Sequence, residues 1–171
     1  MSQRFKQPPS GFNRAQFLEA QGRVYEHSPW IAEALWDQGL KPEHDEVEPL
    51  HRDLAAIVDA APRDKQLALL NAHPDLAGRL AVRGELTAES TSEQAGAGLD
   101  KCSADEFRRF TELNDAYKKK FGFPFILAVK GKNRAEILRN FEARIHHAPE
   151  TEFRTALNEV HKIALLRLRD L

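Results

Sequence analysis

A histidine, a glutamate and an arginine occupy positions that local sequence patterns do not fully explain. His73 directly precedes Pro74 at the end of the apolar run "NAHPDLAGRL". Glu93 lies in the stretch "ESTSEQAGAGL", and Arg167 lies close to the C-terminal end of the sequence. Histidine and glutamate can exchange protons near neutral pH, and arginine can hold a carboxylate through two parallel hydrogen bonds. The three residue types therefore suit proton-transfer chemistry on a small anion. Their spacing in the sequence alone does not show that they lie close together in the fold.

The position of His73 before a proline allows two interpretations. It can be an ordinary surface residue that closes a helix, or a catalytic base held by the backbone that Pro74 kinks. Proline pushes the residue before it out of the helical region, so the preceding helix is predicted to end near Ala72.

The phase of the last predicted helix places Arg167 on an apolar face. At 100° per residue and with Val160 as origin, Arg167 falls at about −20° and Arg169 at about 180°. The apolar face is formed by Phe153, Leu157, Val160, Ala164 and Leu171. A guanidinium aimed at such a face is costly unless it meets an anion or reaches a cleft. Two interpretations stay open: an internal salt bridge or a snorkelling side chain, and a binding group for an anion.

The stretch around Glu93 also allows more than one interpretation. Ser90 and Glu93 fit a capping box at the start of a helix. Gly96 and Gly98 weaken a helix by ~1 kcal/mol each relative to alanine, and glycine often permits close approach of a neighbour or a ligand. A helix N-terminus also presents free N–H groups to an anion. The segment can be a helix cap, an anion-binding site or both.

On the next predicted helix, Asn114 lies between the directions of apolar residues. It is predicted to be a core amide that hydrogen-bonds the backbone.

Composition excludes several classes of protein. The 171 residues include 25 basic and 26 acidic side chains, for a net charge of −1, so a nucleic-acid partner is not expected. The single cysteine, Cys102, cannot form an internal disulfide and has no predicted activating partner. No apolar run approaches the ~20 residues that span a membrane, so no membrane association is expected. No metal-binding motif is evident, and the ends of the chain show neither a signal peptide nor a peroxisomal signal. We expect a cytoplasmic protein without a metal.

The chain is predicted to be almost entirely helical. Residues 1–12 are expected to form a loose arm, and 41–49 an acidic loop. Capping residues and first-turn prolines predict helix starts at Asn13, Ser28–Pro29, Pro62, Ser103 with Glu106, Asn133 and Thr151. A further helix is predicted over Leu50 to Ala60, because Leu54, Ile57 and Val58 lie on one face. The first helix is predicted to carry Phe17 to Tyr25, and Gly39 to stop the second. The segment "FGFPFILAV" at 121–129 is strand-like but lacks a partner strand, so it is predicted to be extended and buried. The pattern predicts a compact all-α, single-domain, multi-helix fold.

Several separated stretches resemble the 2-oxo-4-hydroxy-4-carboxy-5-ureidoimidazoline (OHCU) decarboxylases of uric acid breakdown. The matching stretches are "SPW" at 28–30, "HPDL" at 73–76, "SEQAGAGL" at 92–99, "FTELNDAYKKKFGFPFILAVKG" at 110–131 and the final "HKIALLRLRDL". They occur in the family's order and cover the chain from about residue 13. The family often shows alanine where this chain has Gly96.

The resemblance implies an all-helical domain over 13–171, usually a homodimer, with no metal or organic cofactor. It implies that the substrate OHCU loses its C4 carboxylate as CO2 and is protonated to (S)-allantoin. His73, Glu93 and Arg167 match the family's catalytic residues. Its substrate-contacting positions match Pro74, Ser90, Thr91, Ser92, Gln94, Phe125, Ile126, Leu127, Ala128 and Val129. Eukaryotic relatives often carry a peroxisomal signal, and this sequence shows none. We therefore expect a bacterial, cytoplasmic protein.

Two alternatives remain. One is a cofactor-free hydrolase or isomerase of another small ureido compound. The other is a helical protein-interaction module that uses Trp30, Trp36 and exposed aromatic residues as a docking face. An enzyme requires a small pocket, whereas a module requires a flat apolar patch.

Overall fold

The computed structural model describes residues 2–78 and 85–171. Within these ranges the chain forms eight α-helices and no β-strand, which confirms the predicted all-α class. The helices are α1 Arg14–Gln21, α2 Trp30–Gln38, α3 Val47–Ala60, α4 Arg63–Asn71, α5 Ala88–Gly96, α6 Ala104–Phe121, α7 Arg134–Arg144 and α8 Pro149–Arg169. Short 3₁₀ helices lie at Pro9–Gly11, Pro42–Asp45 and Leu99–Lys101.

The chain falls into two compact units. The first consists of Met1–Ala72 with Val160–Leu171, and the second of His73–Glu159. Helix α8 contributes residues to both units. The predicted single domain over 13–171 stays a prediction.

Several predicted capping signals are found at helix ends. Side chains of Asn13, Ser103 and Asn133 each accept a hydrogen bond from the backbone N–H three residues on, at the starts of α1, α6 and α7. Ser103 and Glu106 form the predicted capping box. Gly39, with φ of +94°, follows the end of α2 as predicted. Local hydrogen bonding therefore determines these boundaries.

Other boundaries differ from the predictions. Helix α1 ends at Gln21 rather than reaching Tyr25. Ser28 does not cap α2, because its hydroxyl donates to the carbonyl of Glu26 and the helix begins at Trp30. Part of the predicted acidic loop at 41–49 is helical, and the last helix begins at Pro149 rather than at Thr151.

The N-terminal arm is attached rather than loose along much of its length. The N–H of Phe5 donates to the carbonyl of Asp45 at 3.1 Å, and the N–H of Val47 donates to the carbonyl of Gln3 at 2.8 Å. The side chain of Phe5 is buried. These contacts satisfy backbone groups of the arm and of residues 45–47, which explains why the arm lies against the end of the 3₁₀ helix at Pro42–Asp45.

The predicted extended segment is present in the second unit and is buried. Phe121 is the last residue of α6, so the irregular run begins two residues later than predicted and covers 123–129. Arg144 Nη1 donates to the carbonyl of Ile126 at 2.6 Å, and Glu159 Oε1 accepts from the N–H of Ala128 at 3.2 Å. Both side chains bond groups that a neighbouring strand would otherwise bond.

A buried carboxylate connects this segment to the helices of the second unit. Glu152, with 0% exposure, accepts hydrogen bonds from Arg144 Nε at 2.7 Å, the Tyr117 hydroxyl at 2.6 Å and His147 Nδ1 at 2.9 Å. The Arg144 guanidinium also lies 4.4 Å from the centre of the Phe125 ring. Burial, and then the bond to Glu152, raise the pKa of Tyr117, so this phenol stays a donor.

In the described ranges, we find no helix with the length and apolar character that a transmembrane segment needs.

Replacing Glu152 is expected to destabilise the protein strongly. Glu152→Gln removes the negative charge that compensates Arg144, and breaking one side of a buried pair costs ~3–5 kcal/mol. For a protein of this size we expect Tm to fall by about 10 °C. The matched control is Glu142→Gln, because Glu142 pairs with Arg109 on the surface; it should change stability by less than ~1 kcal/mol. Equal decreases in thermal denaturation experiments would contradict the assignment.

Candidate active site

His73 follows the end of α4 in a buried position. The helix ends at Asn71, Ala72 caps it, and His73 is 8% exposed just before Pro74. The helix ends within a residue of the predicted position, because a residue before proline avoids the helical region. The side chain of His73 is thus presented from a loop rather than from a regular turn of α4.

A buried amide from α5 holds the loop that begins at His73. Gln94 Oε1 accepts from the N–H of Ala77 at 3.0 Å, and Gln94 Nε2 donates to the carbonyl of Asp75 at 3.2 Å. Ala77 has a φ of +50°, a conformation that L-residues seldom adopt. A backbone in this region persists when surrounding contacts fix it, and the paired bonds of Gln94 are such contacts.

Helix α6 holds the same loop from other positions. Asn114 Nδ2 donates to the carbonyl of Leu76 at 3.0 Å, and Lys118 Nζ lies 2.7 Å from Asp75 Oδ2. Asn114 is buried, which confirms the predicted core amide bonded to the backbone. Its Oδ1 has no hydrogen-bond partner among the described residues. Side chains from two helices therefore fix the loop at three consecutive residues.

The predicted capping box of Ser90 and Glu93 is wrong. The N-cap of α5 is Thr87, whose hydroxyl accepts from the N–H of Ser90 at 3.2 Å. Ser90 therefore lies inside the first turn and is buried, whereas Glu93 is half-buried one turn further along. Thr91 and Ser92 are exposed.

The two glycines after Glu93 have different environments. A Cβ at Gly96 would meet nothing within 4 Å, so packing does not require glycine there. Gly98 lies beyond the helix with φ of +77°, and its carbonyl accepts from Arg134 Nη1 at 3.0 Å. The expected close approach of a neighbour is therefore found at Gly98, and the neighbour is Arg134.

The extended segment offers one edge for binding. Its five predicted contact residues, Phe125, Ile126, Leu127, Ala128 and Val129, are all buried. Arg144 and Glu159 occupy one side through Ile126 and Ala128. Successive residues of an extended chain point their backbone groups to opposite sides. The N–H and C=O of Leu127, between these two bonded residues, have no hydrogen-bond partner within residues 2–78 and 85–171.

Arg167 lies on the inward face of α8, as the helical phase predicts. It is 7% exposed, and its Nη1 lies 2.8 Å from Glu26 Oε2. Arg169 is exposed and pairs with Glu48 at 3.1 Å. The prediction for Leu171 was wrong: α8 ends at Arg169, so Leu171 does not extend the apolar face and is exposed. The internal salt bridge considered for Arg167 is present.

The predicted catalytic residues are divided between the two units. His73, Glu93 and the predicted substrate contacts belong to the second unit, and Arg167 belongs to the first. The grouping of Arg167 with His73 and Glu93 in one site stays a prediction.

A cavity of about 640 Å³ lies beside α5 in the second unit. It is lined by Ala77, Leu86, Thr91, Gln94, Ala95, Leu99, Asp100, Cys102, Ser103, Ala104 and Phe107. Thr91 and Gln94 are the predicted contact residues that line it. Burial raises the pKa of Cys102, whose Sγ donates to the carbonyl of Leu99 at 3.3 Å. This environment fits the predicted unreactive thiol.

The aromatic residues considered for a docking face are packed against the protein. Trp36 and Trp30 are half-buried; Trp36 packs against Phe17, with ring centres 5.5 Å apart, and Lys65 lies over Trp30. Among described residues, the exposed large hydrophobic side chains are Leu67 and Leu171. Two single exposed leucines do not form an extensive apolar patch.

Glu43, His44 and Asp53 form a cluster of metal-ligand types, with donor atoms within 4.8 Å of one another. His44 Nδ1 accepts from the N–H of Lys41, and His44 Nε2 donates to Asp53. Because both ring nitrogens are bonded, we interpret the cluster as structural.

The comparisons with known proteins agree with the sequence motifs. Residues 10–169 match the family model described as OHCU decarboxylase. Proteins named 2-oxo-4-hydroxy-4-carboxy-5-ureidoimidazoline decarboxylase are similar to this chain. The one from Haloferax volcanii is 46% identical, over 90% of this chain and 88% of its own length. The one from Mus musculus is 44% identical, over 91% and 86%.

Two crystal structures are similar to the fold. One is of (S)-allantoin synthase, with 34% identity and a TM-score of 0.73, covering 93% of this chain and 50% of that one. The other is of OHCU decarboxylase in the presence of (S)-allantoin, with 25% identity and a TM-score of 0.67, covering 86% and 94%.

Removing the amide of Gln94 is expected to destabilise the His73 loop. Gln94→Leu leaves the N–H of Ala77 and the carbonyl of Asp75 without their bonds, and an unsatisfied buried group costs ~1–3 kcal/mol. We expect stability measured by urea denaturation to fall by ~2 kcal/mol or more. Ser92→Ala, at an exposed position of the same helix, is the control and should stay within ~0.5 kcal/mol. A wild-type midpoint for Gln94→Leu would show that the bonds contribute nothing.

Proposed function

The chain belongs to the OHCU decarboxylase family, and we propose that it decarboxylates 2-oxo-4-hydroxy-4-carboxy-5-ureidoimidazoline to (S)-allantoin in uric acid catabolism. The observation that carries this function is the match of the OHCU decarboxylase model to residues 10–169, nearly the whole chain. The similarity to an OHCU decarboxylase crystallised in the presence of (S)-allantoin supports the same reaction.

The chemistry of the substrate explains why a few polar side chains are sufficient. Its C4 carries both a hydroxyl and the departing carboxylate, next to a C=N bond. When the bond between C4 and the carboxylate breaks, CO2 leaves and the electron pair is accepted through the C=N system, which is then protonated. The substrate supplies its own electron sink, so the reaction needs no separate one such as pyridoxal phosphate.

The proposed roles divide proton handling from charge stabilisation. His73 hydrogen-bonds the 4-hydroxyl and handles its proton, a role that its buried position in a firmly held loop supports. Glu93 positions the ring or helps to deliver the proton. Arg167 orients the anion and stabilises the charge as CO2 leaves. Delivery of the proton from one side sets the stereochemistry of allantoin.

The remaining predicted contacts bind the flat, amide-rich ring. Ser90 and Gln94 hydrogen-bond the ureido and ring oxygens of the substrate. Gln94 also fixes the loop after His73 through its bonds to the backbone. Pro74, Thr91 and Ser92 complete the contacts on that side. The segment Phe125 to Val129 binds the ring through its backbone, as an edge strand would. The unbonded backbone groups of Leu127 support this role.

The protein is further proposed to act as a homodimer in a bacterial cytoplasm, without a metal or an organic cofactor. No nucleic acid and no membrane take part. The interaction-module alternative gains no support from Trp30 and Trp36, which are half-buried.

The activity is tested by generating the unstable substrate in situ from urate and following optical rotation. We expect dextrorotatory allantoin to form rapidly only when the protein is present.

His73→Asn should lower turnover by ~10²-fold or more, because it removes a group that moves a proton in the transition state. Circular dichroism should show an unchanged fold. A variant within about threefold of wild type would exclude His73 as the catalytic histidine.

Arg167 and Arg169 differ in their expected contributions to catalysis. Arg167→Ala should weaken transition-state binding by ~2–5 kcal/mol, measured as kcat/KM. Arg167→Lys should rescue it poorly, because lysine lacks the planar fork. Arg167→Ala should also lower Tm, since it leaves Glu26 buried without this partner. Arg169→Ala, on the exposed face, should change stability by no more than ~0.5 kcal/mol. A lower Tm with normal kcat/KM for Arg167→Ala would mean that the arginine is structural.

A further inference from the structure

A carboxylate in the connection between α1 and α2 is buried against the arginine of α8. Glu26 is 2% exposed, and its Oε2 lies 2.8 Å from Arg167 Nη1. The same nitrogen donates to the carbonyl of Arg23 at 3.3 Å. A buried carboxylate outside a regular helix requires a compensating charge, and Arg167 supplies it. Two groups from one short connection thereby fix the direction of one guanidinium nitrogen.

The connection is anchored to α8 a second time, by the residue before Glu26. The Tyr25 hydroxyl bonds His161 Nδ1 at 2.8 Å, and His161 Nε2 bonds Asp59 Oδ1 at 3.0 Å. Burial, and then the nearby charge of Asp59, raise the pKa of Tyr25, so the phenol keeps its proton and donates to His161. His161 and Arg167 both belong to α8. The connection is therefore attached to the helix from which Arg167 projects at two places.

We propose that Glu26 is a positioning residue for Arg167 in the decarboxylation, an inference that rests on the proposed function. Arginine has a long side chain whose rotamer freedom must be lost before it can hold an anion in one geometry. Its pairing with Glu26 removes much of this freedom before substrate binds. Stabilising groups fixed in advance need no rearrangement as charge develops in the transition state.

Burial distinguishes this ion pair from another one on the same helix. Arg169 and Glu48 form a pair at 3.1 Å, but both side chains are more than a third exposed. A surface pair of this type exchanges readily with water and contributes little to geometry. The pair of Glu48 and Arg169 is therefore a control for removing one negative charge that bonds an arginine of α8.

The test is a double-mutant cycle on the full chain, using the substrate generated from urate. The variants are Glu26→Gln, Arg167→Met, their combination and the control Glu48→Gln. All are assayed at a temperature where circular dichroism shows them folded. We expect Glu26→Gln to lower kcat/KM by ~10-fold or more, mainly through kcat, because the misplaced guanidinium stabilises the transition state less well. Glu48→Gln should stay within about twofold of wild type.

The combined variant tests whether Glu26 acts through Arg167. We expect it to have the kcat/KM of Arg167→Met within about twofold, because Glu26 has nothing left to position. Two independent losses that multiply would overturn the proposal, and so would wild-type kcat/KM for folded Glu26→Gln.

A shorter carboxylate keeps the proposal testable if Glu26→Gln does not fold. Glu26→Asp retains the charge but withdraws the oxygens by one methylene group, and it should still lower kcat/KM by several-fold through kcat. Wild-type kcat/KM in Glu26→Asp would then overturn the proposal. If the wild-type protein forms no allantoin, the proposed function fails; if wild type is active and the Glu26 variants match it, only the positioning role fails.

Discussion

The second unit depends on the hydrogen bonds and the ion pair that the buried carboxylate of Glu152 makes. It has no exposed surface, and Arg144, Tyr117 and His147 all donate to it. Removing an ion pair from water is costly unless hydrogen bonds satisfy the rest of both groups. Arg144 meets part of this requirement, because its Nη1 also donates to the carbonyl of Ile126. The position of the extended segment in the proposed substrate site therefore follows from how a buried charge is compensated.

The sequence predicts features that depend on local rules. Asn13 and Ser103 cap helices as expected because their partners lie three residues away. The inward direction of Arg167 follows from the regular rotation of a helix. The same rules fail for Ser90, because Thr87 lies one turn earlier and is an equally good capping residue. Where two caps compete, packing at the helix start decides between them, and packing is not a local property.

The polar residues that hold the proposed site were mostly missed. Gln94 was predicted to bind substrate, but nothing in the sequence shows that its amide meets the backbone at Asp75 and Ala77. Glu26 lies in a connection without periodicity, so no phase indicates that it is buried. Glu159 binds Ala128 across 31 positions of the chain. The residue types were visible in the sequence, but their partners are set by tertiary structure.

The segment at 123–129 also affects how the protein behaves in a crowded cell. A run as apolar and β-prone as "FPFILAV" is a hazard when its edges are open, because it can recruit strands from other chains into aggregates. The bonds from Arg144 and Glu159 occupy the carbonyl of Ile126 and the N–H of Ala128, so these two groups cannot pair with another strand. Charged side chains, unlike a neighbouring strand, end the hydrogen-bonding pattern instead of extending it. The residues that shape a binding segment thereby also limit self-association of the folded chain through these two backbone groups.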